Sequence, residues 1–181
     1  TVDAATVAAN VVQDGGTMTV TDTLTGNVTQ NDGTLSAANE IKGNVAQVKG
    51  AITTAKIDGT LDQSADGVVT TKEVTGVATV AGTVNGNAGL KFGSTLEQTA
   101  GTIDANGDLT LGGNATVKGD VDAANIVAGA NTLTVNGADV DVTGNIAAGT
   151  LDVDAGTVDA ATVAANVVQD GGTMTVTDTL T

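Results

Sequence analysis

The 181-residue sequence has no Cys, His, Pro, Arg, Trp or Tyr, and its one aromatic residue is Phe92. Each absence excludes a class of function. Without Cys there is no disulfide framework, and without Cys and His there is no thiolate or imidazole metal site. Nucleophilic catalysis loses Cys and every His-activated hydroxyl, and anion recognition loses the bidentate Arg fork. Positive charge is scarce as well: six lysines against 21 acidic residues leave a net charge of −15. Such a chain repels nucleic acid and anionic lipid, so nucleic acid is not expected as a partner. Uninterrupted apolar runs extend only a few residues, too short to cross a bilayer, so membrane insertion is not expected either. Disorder is disfavoured too, because 40% of the residues are hydrophobic and many are β-branched.

What is present is small and β-branched: 33 Thr, 26 Val and 25 Gly. These are poor helix formers, and the composition predicts an all-β chain. Residues Thr1 to Thr25 read TVDAATVAANVVQDGGTMTVTDTLT, and Thr157 to Thr181 repeat them letter for letter at an offset of 156. Residues 1–181 are therefore read as one continuous segment of a longer tandem array, carrying one period and the start of the next.

Inside that period lies a shorter, degenerate repeat. A glycine followed two residues later by an aliphatic recurs at Gly33, Gly50, Gly67, Gly82, Gly101, Gly119, Gly156 and Gly172. Gly137 joins the series with a one-residue slip, its aliphatic being Val140. Nine such units fill the 156 residues, at about 17 residues each. After each glycine the residues alternate inward and outward with the period of a half-buried strand. A second glycine precedes most of these by six to eight residues, at Gly26, Gly43, Gly59, Gly76, Gly93, Gly112 or Gly113, and Gly149. Each unit thus reads as two strand-length pieces between two glycine corners. A unit this short cannot bury an apolar face alone, but stacked copies can. Hairpins would need a tight-turn pair at every connection, and only Asn85-Gly86, Asn106-Gly107 and Asn136-Gly137 qualify. The expected fold is a parallel β-solenoid (β-helix) with nine coils per period and a narrow core of Val, Leu, Ile, Ala and buried Thr. Whether its coils have two or three sides is left open.

Runs such as GNVTQNDGTLSAANEIKGNVAQVKGAI and VTGNIAAGTLDVDAGTVDAATV resemble the shaft repeats of filamentous haemagglutinins and autotransporter passengers, which are bacterial surface β-helices. The resemblance covers the whole chain and rests on composition and the glycine–aliphatic pattern. It implies secretion, display at the cell surface, and adhesion or cell–cell contact within a giant tandem-repeat filament protein. It brings no catalytic residues.

Several constellations are candidates for chemistry. The acidic pairs Asp120/Asp122, Asp139/Asp141 and Asp152/Asp154, and Asp104 with Asn106 and Asp108, are candidates to share Ca²⁺ with backbone carbonyls. Their alternative role is to keep a fibre soluble. The nonapeptide of calcium-binding β-rolls is absent, and no EF-hand loop is complete. Calcium is therefore expected between fibres rather than as a resident cofactor, and no other cofactor is expected. Paired carboxylates also serve glycoside hydrolysis, but here they are scattered over the coils with no Arg, His or Tyr to hold a sugar. The Thr17, Thr19, Thr21, Thr23, Thr25 series evokes the T-x-T faces of ice-binding solenoids, which need that pattern in every coil. Sequons at Asn27 and Asn114 are common by chance in such a chain, while Asn27 and Asn44 are placed to stack as a ladder. Lys42, Lys49, Lys56, Lys72, Lys91 and Lys118 are read as surface residues able to meet acids on a neighbouring fibre. The functional expectation is a non-catalytic extracellular shaft. Its partners would be further copies of the repeat, in the same chain and in adjacent fibres.

Overall fold

The computed structural model describes residues 1–181, with strands and turns but no helix. Residues 17–33 show how the sequence makes one coil. Three short strands follow one another, Thr17–Val20, Thr23–Thr25 and Val28–Gln30. Val20, Leu24, Val28 and Gln30 are buried, and the intervening threonines stay partly or fully exposed. Three strands with one inward face each make a three-sided coil, whose sides are here named A, B and C in chain order.

The next coil brings every strand back over its predecessor in parallel. Met18 lies beneath Leu35, Leu24 beneath Ile41 and Val28 beneath Val45. Leu35 in turn lies beneath Ile52, and Val84 beneath Ile103. All 21 strands join one such ladder, a β-solenoid of about 11 turns. The two identical segments keep the same register. Val2 pairs with Met18 and Val7 with Leu24, as Val158 pairs with Met174 and Val163 with Leu180.

The coils have three corners where the sequence pattern indicated two. Glycine marks the B–C corner (Gly26, Gly43, Gly59, Gly76) and the C–A corner (Gly33, Gly50). A Cβ at any of these would overlap backbone of the coil below. The A–B corner uses no regular glycine. There Asn39 Nδ2 donates to Asp22 Oδ1 of the coil beneath, and strand Thr34–Lys42 runs round the corner without a break. Corners also absorb variation in coil length. Val68 to Thr83 is a 15-residue step and Thr83 to Thr102 a 19-residue step, yet the sides stay in register.

One corner glycine lies elsewhere than the pattern placed it. Gly156 stacks over Ala138, so Ala138 takes the place in the column assigned to Gly137. Val121 to Val140 is a 19-residue step, and the added residue pushes Gly137 out of the stack. Gly137 keeps φ +93 with open space around it. Gly50, by contrast, combines φ +89 with a neighbour so close that a Cβ would lie 2.8 Å from Gly33 N.

The core is one cluster of 40 buried apolar residues. Phe92 fits it as a fully buried rung between Val74 and Leu111 on side B. Among threonines, only Thr54 and Thr71 are buried; the principal polar groups inside are glutamines at the end of side C. Gln47 Nε2 donates to Gln30 Oε1 (2.9 Å) and Gln63 Nε2 to Gln47 Oε1 (3.1 Å). Gln47 Nε2 also reaches the Gly50 and Val68 carbonyl oxygens at 3.0 and 3.1 Å. Gln13, Gln30 and Gln98 likewise close their own corner and tie it to the next coil, whereas Gln63 Nε2 reaches the Thr83 carbonyl of the next coil but no carbonyl of its own corner. Val80 interrupts the column between Gln63 and Gln98, and Val117 follows Gln98. Gln63 Oε1 and Gln98 Oε1 are left buried without a partner.

Candidate functional site

With the core closed, chemistry is left to outward side chains, and parallel register turns each side into columns rising ~4.8 Å per coil. Side A divides into two lengths. Its lower coils present Thr19, Ser36, Thr53 and Thr70, and its upper coils present Asp104, Asp122 and Asp141 in succession. Asp120 and Asp139 stand in the adjoining column two residues earlier. Thr157 Oγ1 donates to Asp139 Oδ1, which sets residue 157 over 139 and hence Asp159 over Asp141.

Asp122 is the centre of this face. Its partial burial, and then the charges of Asp104, Asp141, Asp120 and Asp139, push its carboxyl above the ordinary carboxylate range. An open groove beside it is lined by Asp104, Asn106, Asp122, Asp141 and Thr143. Asp104 Oδ1 accepts the Asn106 N–H at 2.9 Å. No three carboxylates of the chain converge closely enough to hold a metal ion.

The other acidic candidates stand apart. Asp108 lies on side B, where Asn125 Nδ2 donates to its Oδ1 at 2.7 Å. Asp152 and Asp154 project from the strand whose Leu151 and Val153 are buried. Burial, then Asp154 and Asp170, raise the Asp152 carboxyl. Of the eight candidates, side A thus gathers Asp104, Asp120, Asp122, Asp139 and Asp141. Sequence reasoning passed over Asp159. Its signal is the 18, 19 and 18-residue spacing of Asp104, Asp122, Asp141 and Asp159, which means little until the coil register is known.

Side B carries a different column. Glu40, Lys56, Glu73 and Lys91 are successive rungs of alternating sign. Lys91 Nζ is 2.8 Å from Glu73 Oε1, Lys42 Nζ 3.0 Å from Glu40 Oε1 and Lys56 Nζ 3.2 Å from Asp58 Oδ1. Lys49 approaches Asp32 at 3.9 Å. Hydrogen bonds from Lys56 and Thr75 hold the Asp58 carboxyl below its usual range, and Glu40 raises Lys42. Four of the six lysines, which the sequence left free to meet another fibre, are engaged within the chain.

The remaining motifs serve the stack. Asn27 N–H donates to Asn10 Oδ1 and Asn44 N–H to Asn27 Oδ1, both at 2.9 Å, so the asparagine ladder runs from side chain to backbone. Asn114 Oδ1 likewise accepts the Thr132 N–H at 3.0 Å. The T-x-T pattern is not sustained, because Thr17/Thr19 and Thr34/Ser36 give way to Ala51/Thr53 and Val68/Thr70. In comparisons with protein-family models, curated proteins and solved structures, nothing matches the chain.

Proposed function

We propose that the chain is a non-catalytic shaft: a length of an extracellular bacterial filament of the filamentous haemagglutinin or autotransporter-passenger kind. In this reading it belongs to a giant tandem-repeat protein that mediates cell–cell contact, adhesion or matrix formation. The observation that supports it is the identical coil register at both ends of the 156-residue period, which lets nine-coil lengths follow one another without a break. Each period would advance the axis by roughly 43 Å at ~4.8 Å per coil. Backbone hydrogen bonds lie along that axis, so a pull is shared among the three sides of every coil. The partners are further copies of the repeat, in the same chain and in neighbouring fibres, with Ca²⁺ acting between fibres.

Antibodies to the 181-residue chain test the reading on intact cells. Gold label along external filaments is the expected result; label confined to the cell interior overturns it. A calcium- or receptor-binding adhesin module is the second reading, favoured by the aspartate columns of side A. Calorimetric titration of the isolated chain with Ca²⁺ separates the two. Stoichiometric uptake by the monomer would favour the module, and association without such uptake favours the shaft.

A further inference from the structure

The outward column of side A changes chemistry once along the axis. Thr19, Ser36, Thr53 and Thr70 form its lower rungs, and Asn85 follows Thr70. Asp104, Asp122, Asp141 and Asp159 complete it above Asn85. Four hydroxyls and four carboxylates thus flank one amide. Turned end for end about Asn85, the column sets a hydroxyl in the place of every carboxylate and a carboxylate in the place of every hydroxyl.

We propose that side A is the surface on which two copies of the chain pair side by side and antiparallel, with a two-fold axis between their Asn85 residues. Thr53 then faces Asp122 of the second copy, Ser36 faces its Asp141, Thr70 its Asp104 and Thr19 its Asp159. Each hydroxyl donates to a carboxylate, a charge-assisted bond, and the two Asn85 amides both donate and accept. Both columns rise ~4.8 Å per coil, so the match stays in step from rung to rung. The two-fold makes every contact occur twice.

That axis lies along the strands, so each column faces its own counterpart. In the adjoining column Thr34 faces Asp139, Ala51 faces Asp120 and Val68 faces Thr102. No carboxylate meets another in either column. A parallel pair would bring the two aspartate lengths together, so charge selects the antiparallel one. The wider balance agrees: residues 26–100 carry five lysines and seven acids, whereas 101–181 carry one lysine and 11 acids. Antiparallel pairing lays the acidic length of each copy against the nearly balanced length of the other. Lys72 sharpens the fit. It is one of the two lysines outside the ion pairs of the chain, and it shares an open groove with Ser36, Thr53, Thr70 and Asn87. In the pair this groove meets the aspartate-lined groove of the second copy, which sets Lys72 beside its Asp104 and Asn106. The inference fixes a face and a polarity for pairing. It does not rest on the cell-surface reading, because purified chain decides it wherever the protein resides.

The test is sedimentation equilibrium of the purified 181-residue chain with chelator present, so that no divalent ion bridges carboxylates. A dimer is the expected product. It should strengthen as monovalent salt rises from about 0.01 to about 0.15 M and the screening length falls from about 30 to about 8 Å, since net repulsion weakens while the short hydroxyl–carboxylate bonds remain. Thr53→Asp should weaken the dimer at least about a hundredfold, because it sets two carboxylate pairs face to face. Adding Asp122→Thr restores donor to acceptor across the two-fold and should return the dimer to within about tenfold of the parent. Thr70→Asp with Asp122→Thr has the same net charge but exchanges rungs that do not face each other, so it should stay as weak as Thr53→Asp. Thr53 and Asp122 are exposed and Thr70 is half-buried on the same outward column, so circular dichroism of each variant should match the parent. A chain that is monomeric at every salt concentration overturns the proposal. So does a Thr53→Asp variant that pairs like the parent, a failure of Asp122→Thr to rescue it, or equal recovery of the mismatched Thr70→Asp, Asp122→Thr variant.

Discussion

Asp122 has its ionisation set by its column. Partial burial and four neighbouring aspartates make its proton harder to remove in the fold than in the unfolded chain. Between the ordinary and the raised pKa the native state binds more protons, so stability falls as pH rises through that window and recovers below it. Asp122→Asn should therefore stabilise the chain at neutral pH, by less than about 1 kcal/mol for relief of cross-strand repulsion, and flatten that pH dependence in urea titrations. No gain at neutral pH would mean that the aspartates of side A do not repel one another appreciably. Asp58 has the opposite sign: Lys56 and Thr75 favour its charged form, so its contribution is present above the unfolded pKa and fades as pH falls through the lower folded value. Two glycines offer a sharper contrast. Gly50→Ala meets both positive φ and the backbone of Gly33, and should cost about 3 kcal/mol or more. Gly137→Ala meets positive φ in open space and should cost about 1 to 2 kcal/mol. Equal losses in thermal melts would show that close stacking is not what requires glycine in the column.

The glutamine column gives the same kind of test for an element. Gln47→Leu removes the donor to Gln30 Oε1, the acceptor for Gln63 Nε2 and the donor to two corner carbonyls. Gln63 Nε2 keeps the Thr83 carbonyl, so three groups are left without this partner, and at ~1 kcal/mol each the loss should be about 3 kcal/mol. Gln98→Leu should cost less, because Val80 and Val117 flank it and only the Gly101 and Asp120 carbonyls lose their donor. Chemical denaturation of both variants checks the order; equal costs would mean the column is not cooperative. This column was legible and unread: Gln stands three residues before the corner glycine at Gln13, Gln30, Gln47, Gln98 and Gln169, but a polar residue in an inward slot looks like an outward one. Glycine corners and strand alternation were readable because each leaves a local mark. The third side was not, because Asn39 and Asp22 close its corner across 17 residues. The aspartate pairs were visible within strands, whereas their column depends on steps of 18 and 19 residues.

Over the whole molecule, charge and connectivity work along different directions. Residues 26–181 carry 18 acids and six lysines, a net of −12 for one period. Like-charged solenoids should stay apart in dilute monovalent salt. Millimolar Ca²⁺, or acidification toward the sequence pI of about 4.1, should bring them side by side. Light scattering should rise without a change in circular dichroism, and chelator should reverse the effect of Ca²⁺. If chelation unfolded the strands, the metal would be part of the fold instead. Along the axis, each coil meets the one 15 to 20 residues before it, and that separation does not grow with the number of coils. Folding time in simple domains lengthens with the sequence distance between contacting residues. Here the distance stays between 15 and 20 residues, so the last completed coil is a template for the residues that follow it. A chain of many periods faces the same short search at every step, and its length adds duration to synthesis without adding difficulty to folding.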